Sequence, residues 1–256
     1  MTAVFDGMVA IITGGGSGIG QAAGSSLADL GATCALLDVS YTDVEVIDDG
    51  VGVMHVPCDV SNTEQVDAAI DSVAEQYGRV DVVINNAGIG AIGSIDKRDD
   101  DEWNRLYDVN VLGIVRVTRA ATPYLQKSDH PAVVNVGSIA GWAGLPERAA
   151  YSATKGAVHA LTLAMAADAL PLGIRVNAVA PGTADTPWVQ RLLNKAEDPE
   201  AERKALAARQ PSGRLVTPDE VAAAICYLAG RTAGSVTGTI LAVDGGMAGL
   251  RTRPRS

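Results

Sequence analysis

Basic charge is in short supply: 20 Lys and Arg stand against 30 Asp and Glu, for a formal net charge of −10. That deficit argues against a nucleic-acid-binding surface, which needs clustered cations along a phosphate backbone. The small basic tail at 250–256 (Arg251, Arg253, Arg255) reads as a solvated end. Cysteine is equally sparse. Cys34, Cys58 and Cys226 lie far apart in apolar stretches, the pattern of reduced core thiols and not of a disulfide frame. The three histidines, His55, His130 and His159, show no ligand spacing, so no metal is expected. Apolar runs are strand-sized and broken by Gly or charge, well short of the roughly 20 residues that span a bilayer. Met1–Asp6 has neither the basic nor the apolar region of a signal peptide, and a cytoplasmic protein is expected. Internal repeats and low-complexity blocks are absent.

What is present is an apolar fraction of 47% over 256 residues, enough for a single α/β domain spanning 1–256. Short β-branched runs alternate with helical patterns. Strands are predicted at Val9–Thr13, Thr33–Asp38, Val53–Asp59, Asp81–Asn85, Ala132–Ser138, Arg175–Ala180 and Thr239–Asp244. Helices are predicted at Gly18–Leu30, Thr63–Tyr77, Glu102–Gln126, Tyr151–Leu170 and Pro218–Leu228. Strict alternation implies right-handed crossovers, and so a doubly wound, seven-stranded parallel sheet with helices on both faces: a Rossmann fold. One polar stretch, about 183–217, interrupts the rhythm at the carboxyl end of a strand, where such sheets bind ligands. It reads as a substrate lid with helical segments Trp188–Asn194 and Pro199–Arg209.

Directly after the first strand comes Thr13-Gly14-Gly15-Gly16-Ser17-Gly18-Ile19-Gly20, opening a helix. Glycine lets the backbone turn tightly against a pyrophosphate, and the helix N-terminus offers it free N–H groups. Asp38 ends the second strand, 24 residues after Gly14. Its carboxylate can accept from both hydroxyls of an adenosine ribose and repels a 2′-phosphate. No Arg or Lys occupies position 17 or comes directly after Asp38, so NAD is favoured over NADP. Near the middle of the chain, Tyr151 and Lys155 stand four apart and share one helix face. A free phenol with a pKa near 10 is a poor base at neutral pH, and a nearby cation favours the phenolate.

The G-x-x-x-G-x-G spacing, Asn85-Asn86-Ala87-Gly88, Asn110, Ser138, Tyr151-x-x-x-Lys155 and Pro181-Gly182 occur in one order over residues 7–247. In this the chain resembles the short-chain dehydrogenase/reductase family. The resemblance implies that Gly14, Ser17, Gly18, Ile19 and Asp38 hold the adenosine and pyrophosphate, with Asp59 and Val60 at the adenine. It implies that Asn86, Ala87, Gly88, Pro181, Gly182, Thr183 and Thr186 border the nicotinamide half. It makes Tyr151 the base, Lys155 its partner and a holder of the nicotinamide ribose, Ser138 the donor to the substrate oxygen, and Asn110 the support of a water chain to Lys155. A homotetramer is expected, its long helices pairing across two-fold axes.

Arg148 precedes Tyr151 by three residues, and the lid carries Trp188, Arg191, Arg209 and Arg214. Arginine's planar fork suits a carboxylate, so these cations suggest an acidic substrate. The stretch Thr183–Met247 resembles 2-keto-3-deoxy-L-fuconate and related sugar-acid 4-dehydrogenases more than cytosolic-type 3-hydroxybutyrate dehydrogenases, from which Trp188 and Val189 depart. Gln210 and Ser138 could both meet sugar hydroxyls. A reductase or epimerase of neutral steroids, polyols or acyl thioesters on the same fold, and a non-catalytic dinucleotide-binding or regulatory protein, are the competing classes.

Overall fold

Val9–Thr13 forms the first strand, β1, and all five of its residues are buried. Its side chains alternate between two faces, as a repeat of two requires. Ala10 and Ile12 enter one core with Leu27, Val221 and Ile225, while Val9 and Ile11 enter another with Val66, Ile70, Val117 and Leu125. A strand apolar on both faces belongs inside a parallel sheet covered by helices on each side.

The computed structural model describes residues 4–41, 47–48 and 52–251. In chain order β1 is followed by α1 (Gly18–Asp29), β2 (Thr33–Asp38), β3 (Ile47–Asp48), β4 (Val53–Pro57), α2 (Thr63–Tyr77), β5 (Val82–Asn85) and α3 (Asp100–Tyr107). Then come α4 (Gly113–Leu125), β6 (Ala132–Val136), α5 (Ala149–Ala169), β7 (Arg175–Pro181), α6 (Pro187–Leu193), α7 (Pro199–Ala208), α8 (Pro218–Ala229) and β8 (Ile240–Val243). Seven strands are parallel, in the spatial order β4-β2-β1-β5-β6-β7-β8. The two-residue β3, which the sequence pattern does not predict, pairs antiparallel with the outer edge of β4. Helices α1 and α8 cover one face; α2, α4 and the end of α5 cover the other. The chain winds outward from β1 to β4 and then crosses back to β5. The switch point therefore lies between β1 and β5, and a crevice opens at their carboxyl ends.

The predicted helix over Glu102–Gln126 is a broken one. Helices α3 and α4 are separated by a π turn, Asp108–Leu112. A π turn carries an extra residue and rotates the rest of the helix about its axis. Here it turns Asn110 fully inward, where its amide finds partners on neighbouring elements. Ser138 lies just beyond β6 and opens a short 3-10 turn, Ile139–Gly141, instead of ending the strand.

Helix ends are closed by local chemistry. Thr217 and Glu220 form a reciprocal capping box at the start of α8. At its other end the carbonyls of Leu228, Ala229 and Gly230 accept from the Arg175 guanidinium on β7, at 2.7, 3.2 and 3.2 Å. These acceptors are the ones a helix leaves unpaired, and a cation there also meets the negative end of its dipole. Replacing Arg175 by Met should cost about 2 kcal/mol of unfolding free energy, read from urea denaturation, with little change in catalysis.

Residues 183–217 leave the sheet and return. The excursion is pinched at its base, where Asp185 N donates to Val216 O at 2.8 Å and Val216 N to Thr183 O at 3.0 Å. Its two helices share a small core of Val189, Leu193, Leu206 and Leu215, and Arg203 pairs with Asp185. Gln210 is buried and donates to Thr183 O and Arg214 O, so its amide binds the excursion together and does not face a substrate. In the basic tail, Arg251 donates to Ala248 O and Leu250 O; Arg253 and Arg255 lie outside the described residues. No helix among the described residues is long and apolar enough to cross a membrane.

Candidate active site

The crevice at the switch point is one continuous cleft of about 600 Å³. One end is built by the glycine turn between β1 and α1. Gly14 has φ +64, and a Cβ there would stand 2.8 Å from Asn86 Nδ2 and 2.9 Å from Ala87 Cα. Only glycine permits both that conformation and that approach. Asn86 clasps the turn, donating from Nδ2 to Thr13 O and Gly14 O at 3.0 Å each. Ser17 is the N-cap of α1, yet its side chain makes no capping bond. The first N–H groups of the helix are thus left for an anion. At the mouth, the Asp38 carboxylate accepts from Gly16 N at 2.9 Å and Ser40 N at 2.8 Å, which fixes it at the end of β2.

Gly14, Ser17, Gly18, Ile19, Asp38, Asn86, Ala87 and Gly88 all line this cleft, as do Pro181, Gly182, Thr183 and Thr186. Thr186 also caps α6, accepting from Val189 N at 3.4 Å. Asp59 and Val60 stand outside the lining: the Asp59 carboxylate accepts from Ser61, and Val60 is buried against Gly113. A glycine cradle, an uncapped helix N-terminus and a fixed carboxylate in sequence along one groove match the shape and charge of a nicotinamide dinucleotide.

Ser138, Tyr151 and Lys155 line the far end of the same cleft. Burial pushes the Tyr151 phenol up from its ordinary pKa, while the Ser138 hydroxyl and then the Arg148 guanidinium draw it down. Of the two cations on this helix near Tyr151, Arg148 is the one that lowers the phenol here. The Lys155 ammonium is turned instead to Val136 O, to which it donates at 2.8 Å, and lies 5.8 Å from the Tyr151 ring centre. Burial alone brings Lys155 down to about 8. Asn110 is next to this group but fully engaged. Its Oδ1 accepts from Ile89 N at 2.8 Å, and its Nδ2 donates to Ile89 O and Thr154 Oγ1 at 3.0 Å each.

Arg148, Trp188, Arg191 and Arg209 border the cleft where α5 faces the 183–217 excursion. Arg148 lies 6.0 Å from the Trp188 ring centre. Among the described residues none of these three arginines forms an ion pair. Burial, then the charge of Arg209, makes the Arg148 cation less favourable than usual. Arg214 is elsewhere. It pairs with Glu220 at 2.6 Å beside the α8 capping box, and the expectation that it meets a substrate is corrected accordingly. Gly90 and Leu145, which no sequence motif singles out, also line the cleft. A Cβ at Gly90 would stand 2.8 Å from Trp188 Cζ2, a contact between residues 98 positions apart that no local pattern marks.

A family model described as enoyl-(acyl carrier protein) reductase matches residues 14–248. The chain is 39% identical over 248 residues to 2-(S)-hydroxypropyl-CoM dehydrogenase 3 of Xanthobacter autotrophicus, covering 94% of this chain and 97% of that one. It is 39% identical over 251 residues to cis-4-hydroxycyclohexanecarboxylate dehydrogenase of Sinomonas cyclohexanicum, covering 96% and 98%. The crystal structure of 3-ketoacyl-(acyl-carrier-protein) reductase from Brucella melitensis complexed with NADH superposes with a TM-score of 0.85 at 33% identity, covering 95% and 99%. Fold, cleft and relatives lead to one conclusion: the chain belongs to the short-chain dehydrogenase/reductase family and is an oxidoreductase of alcohol and carbonyl groups that uses a nicotinamide cofactor.

Proposed function

We propose that the protein oxidises a secondary alcohol in a small hydroxy acid with NAD. The observation that carries this is the set of three arginines, Arg148, Arg191 and Arg209, that face the same cleft as Tyr151 and form no ion pair among the described residues. Unpaired cations at a cleft wall, in a chain of net charge −10, suit an anionic substrate. That a relative is named for a hydroxycyclohexanecarboxylate supports the hydroxy-acid reading. The likeness of Thr183–Met247 to sugar-acid dehydrogenases makes a 2-keto-3-deoxy sugar acid such as 2-keto-3-deoxy-L-fuconate, oxidised at C4, the first compound to try.

A nicotinamide bound here would supply the hydride acceptor. Asp38 would hold the adenosine ribose; Gly14, Ser17, Gly18 and Ile19 would hold the pyrophosphate; Thr183 and Thr186 would border the nicotinamide end. Ser138 donates to the substrate oxygen, and Tyr151 takes the hydroxyl proton as the carbinol C–H bond breaks. Lys155 keeps a positive charge behind this pair, and Asn110 holds Ile89 and Thr154 in place around it. The 183–217 excursion is a lid that excludes water. The same groups run the reverse reaction with Tyr151 as the acid, and a relative named as a ketoacyl reductase favours that second reading.

The test is NADH fluorescence after mixing protein and NAD with hydroxy acids, sugar acids and uncharged alcohols of matching shape. Acids should exceed their neutral counterparts by about 30-fold or more in kcat/KM; equal rates would remove the anionic substrate. Asp38→Ala removes the charge that repels a 2′-phosphate, and should cut the preference for NAD over NADP by about tenfold or more, measured as a ratio of kcat/KM values. We also assign the protein to the cytoplasm as a homotetramer. Leu163 on α5, 51% exposed, offers apolar surface that another copy would cover, and light scattering gives the mass.

A further inference from the structure

Beneath the Ser138 turn lies a side chain that the chemistry above leaves unused. His159 comes four residues after Lys155 and eight after Tyr151, so all three share one face of α5. Its ring is 5% exposed, and neither nitrogen has a hydrogen-bond partner among the described residues. The imidazole is held between two glycines. A Cβ at Gly137 would stand 2.5 Å from Nε2, and one at Gly141 would stand 2.5 Å from Cε1 and 2.7 Å from Nδ1. Trp142 closes the outer side, with ring centres 4.6 Å apart.

Those glycines bracket Ser138. Gly137 N donates to Val179 O at 2.8 Å, and Gly141 N donates to Ser138 O at 3.0 Å. Ala140 N donates to Ser138 Oγ at 3.1 Å. The ring is therefore the floor on which the Ser138 turn rests. Burying two unpaired ring nitrogens is unfavourable, and an aliphatic side chain would avoid that cost. A flat ring, however, fills the slot between the Gly137 and Gly141 backbones, where neither glycine leaves room for a Cβ. Local choices that cost stability concentrate at functional sites. Burial, and then the Lys155 charge, lowers the His159 pKa to about 4, so the floor stays neutral beside Lys155 at working pH.

We infer that His159 is a positioning residue for Ser138: its imidazole fixes the Gly137–Gly141 turn and thereby keeps the Ser138 hydroxyl on Tyr151. The inference rests on Ser138 acting at the substrate oxygen. Ser138→Ala, His159→Ala and the double variant separate the two, read by kcat, KM for NAD and thermal midpoint. Ser138→Ala should lower kcat by about 100-fold; a normal value there overturns the Ser138 role and this inference with it. His159→Ala should lower kcat by about tenfold or more with KM for NAD unchanged within about twofold, yet lower it less than about twofold in the Ser138→Ala background. Multiplying losses in the double variant, or an unchanged kcat in His159→Ala beside an impaired Ser138→Ala, overturn the positioning role alone. His159→Gln, which keeps volume and polar atoms, should recover part of kcat. It carries the same cycle should the alanine variant fail to fold.

Discussion

Tyr151→Phe should lower kcat by about 10²- to 10⁴-fold, the usual worth of a positioned acid–base group, while NAD binding stays within a few-fold. Phenylalanine keeps the ring in its buried place and removes only the hydroxyl, so fluorescence titration with NAD should show an intact cleft. Retained turnover would overturn the assignment of Tyr151. The pH dependence comes from the groups around the phenol. Burial raises its pKa, and the phenolate is the form that takes a proton, so oxidation should quicken as pH rises through neutrality. Arg148 favours the phenolate. Removing its charge raises the phenol further, and in Arg148→Ala the rise in rate should move to higher pH. A curve that stays in place would show that Arg148 does not act on Tyr151.

Arg209→Ala should raise KM for the acid substrate while KM for NAD is unchanged. Arg209 is exposed, so loss of its pairing with the acid should cost about 0.2–1 kcal/mol, or up to about fivefold in KM. The separation matters because Arg148 and Arg209 are placed differently. Arg148 is the N-cap residue of α5 and acts on the phenol, so its loss should lower kcat as well as raise KM. Arg209 closes α7 and is not among the groups that shift the Tyr151 phenol, so its loss should appear in KM alone. Arg214→Ala is the control, since that guanidinium is held by Glu220. Steady-state kinetics with unchanged KM in both Arg148→Ala and Arg209→Ala would remove the carboxylate site.

The sheet and the order of its parts are legible in the chain of residues alone. An unbroken apolar run such as Val9 to Ile12 can be buried only between two helical layers, and the positive φ of Gly14 is a local backbone need, although the atoms its missing Cβ makes room for, on Asn86 and Ala87, come from far along the chain. Local periodicity and local backbone needs are written in neighbouring residues, and so they can be read there. What each charged side chain faces was decided by packing. Arg214 and Arg209 look alike in a lid five residues apart, yet one meets Glu220 and the other the cleft. Lys155 shares a helix face with Tyr151 but donates to the Val136 carbonyl of β6, a partner on a different element. The break at Asn110 and the seat of His159 between Gly137 and Gly141 likewise depend on partners many residues away. No periodicity encodes those contacts, since they exist only once the layers have packed.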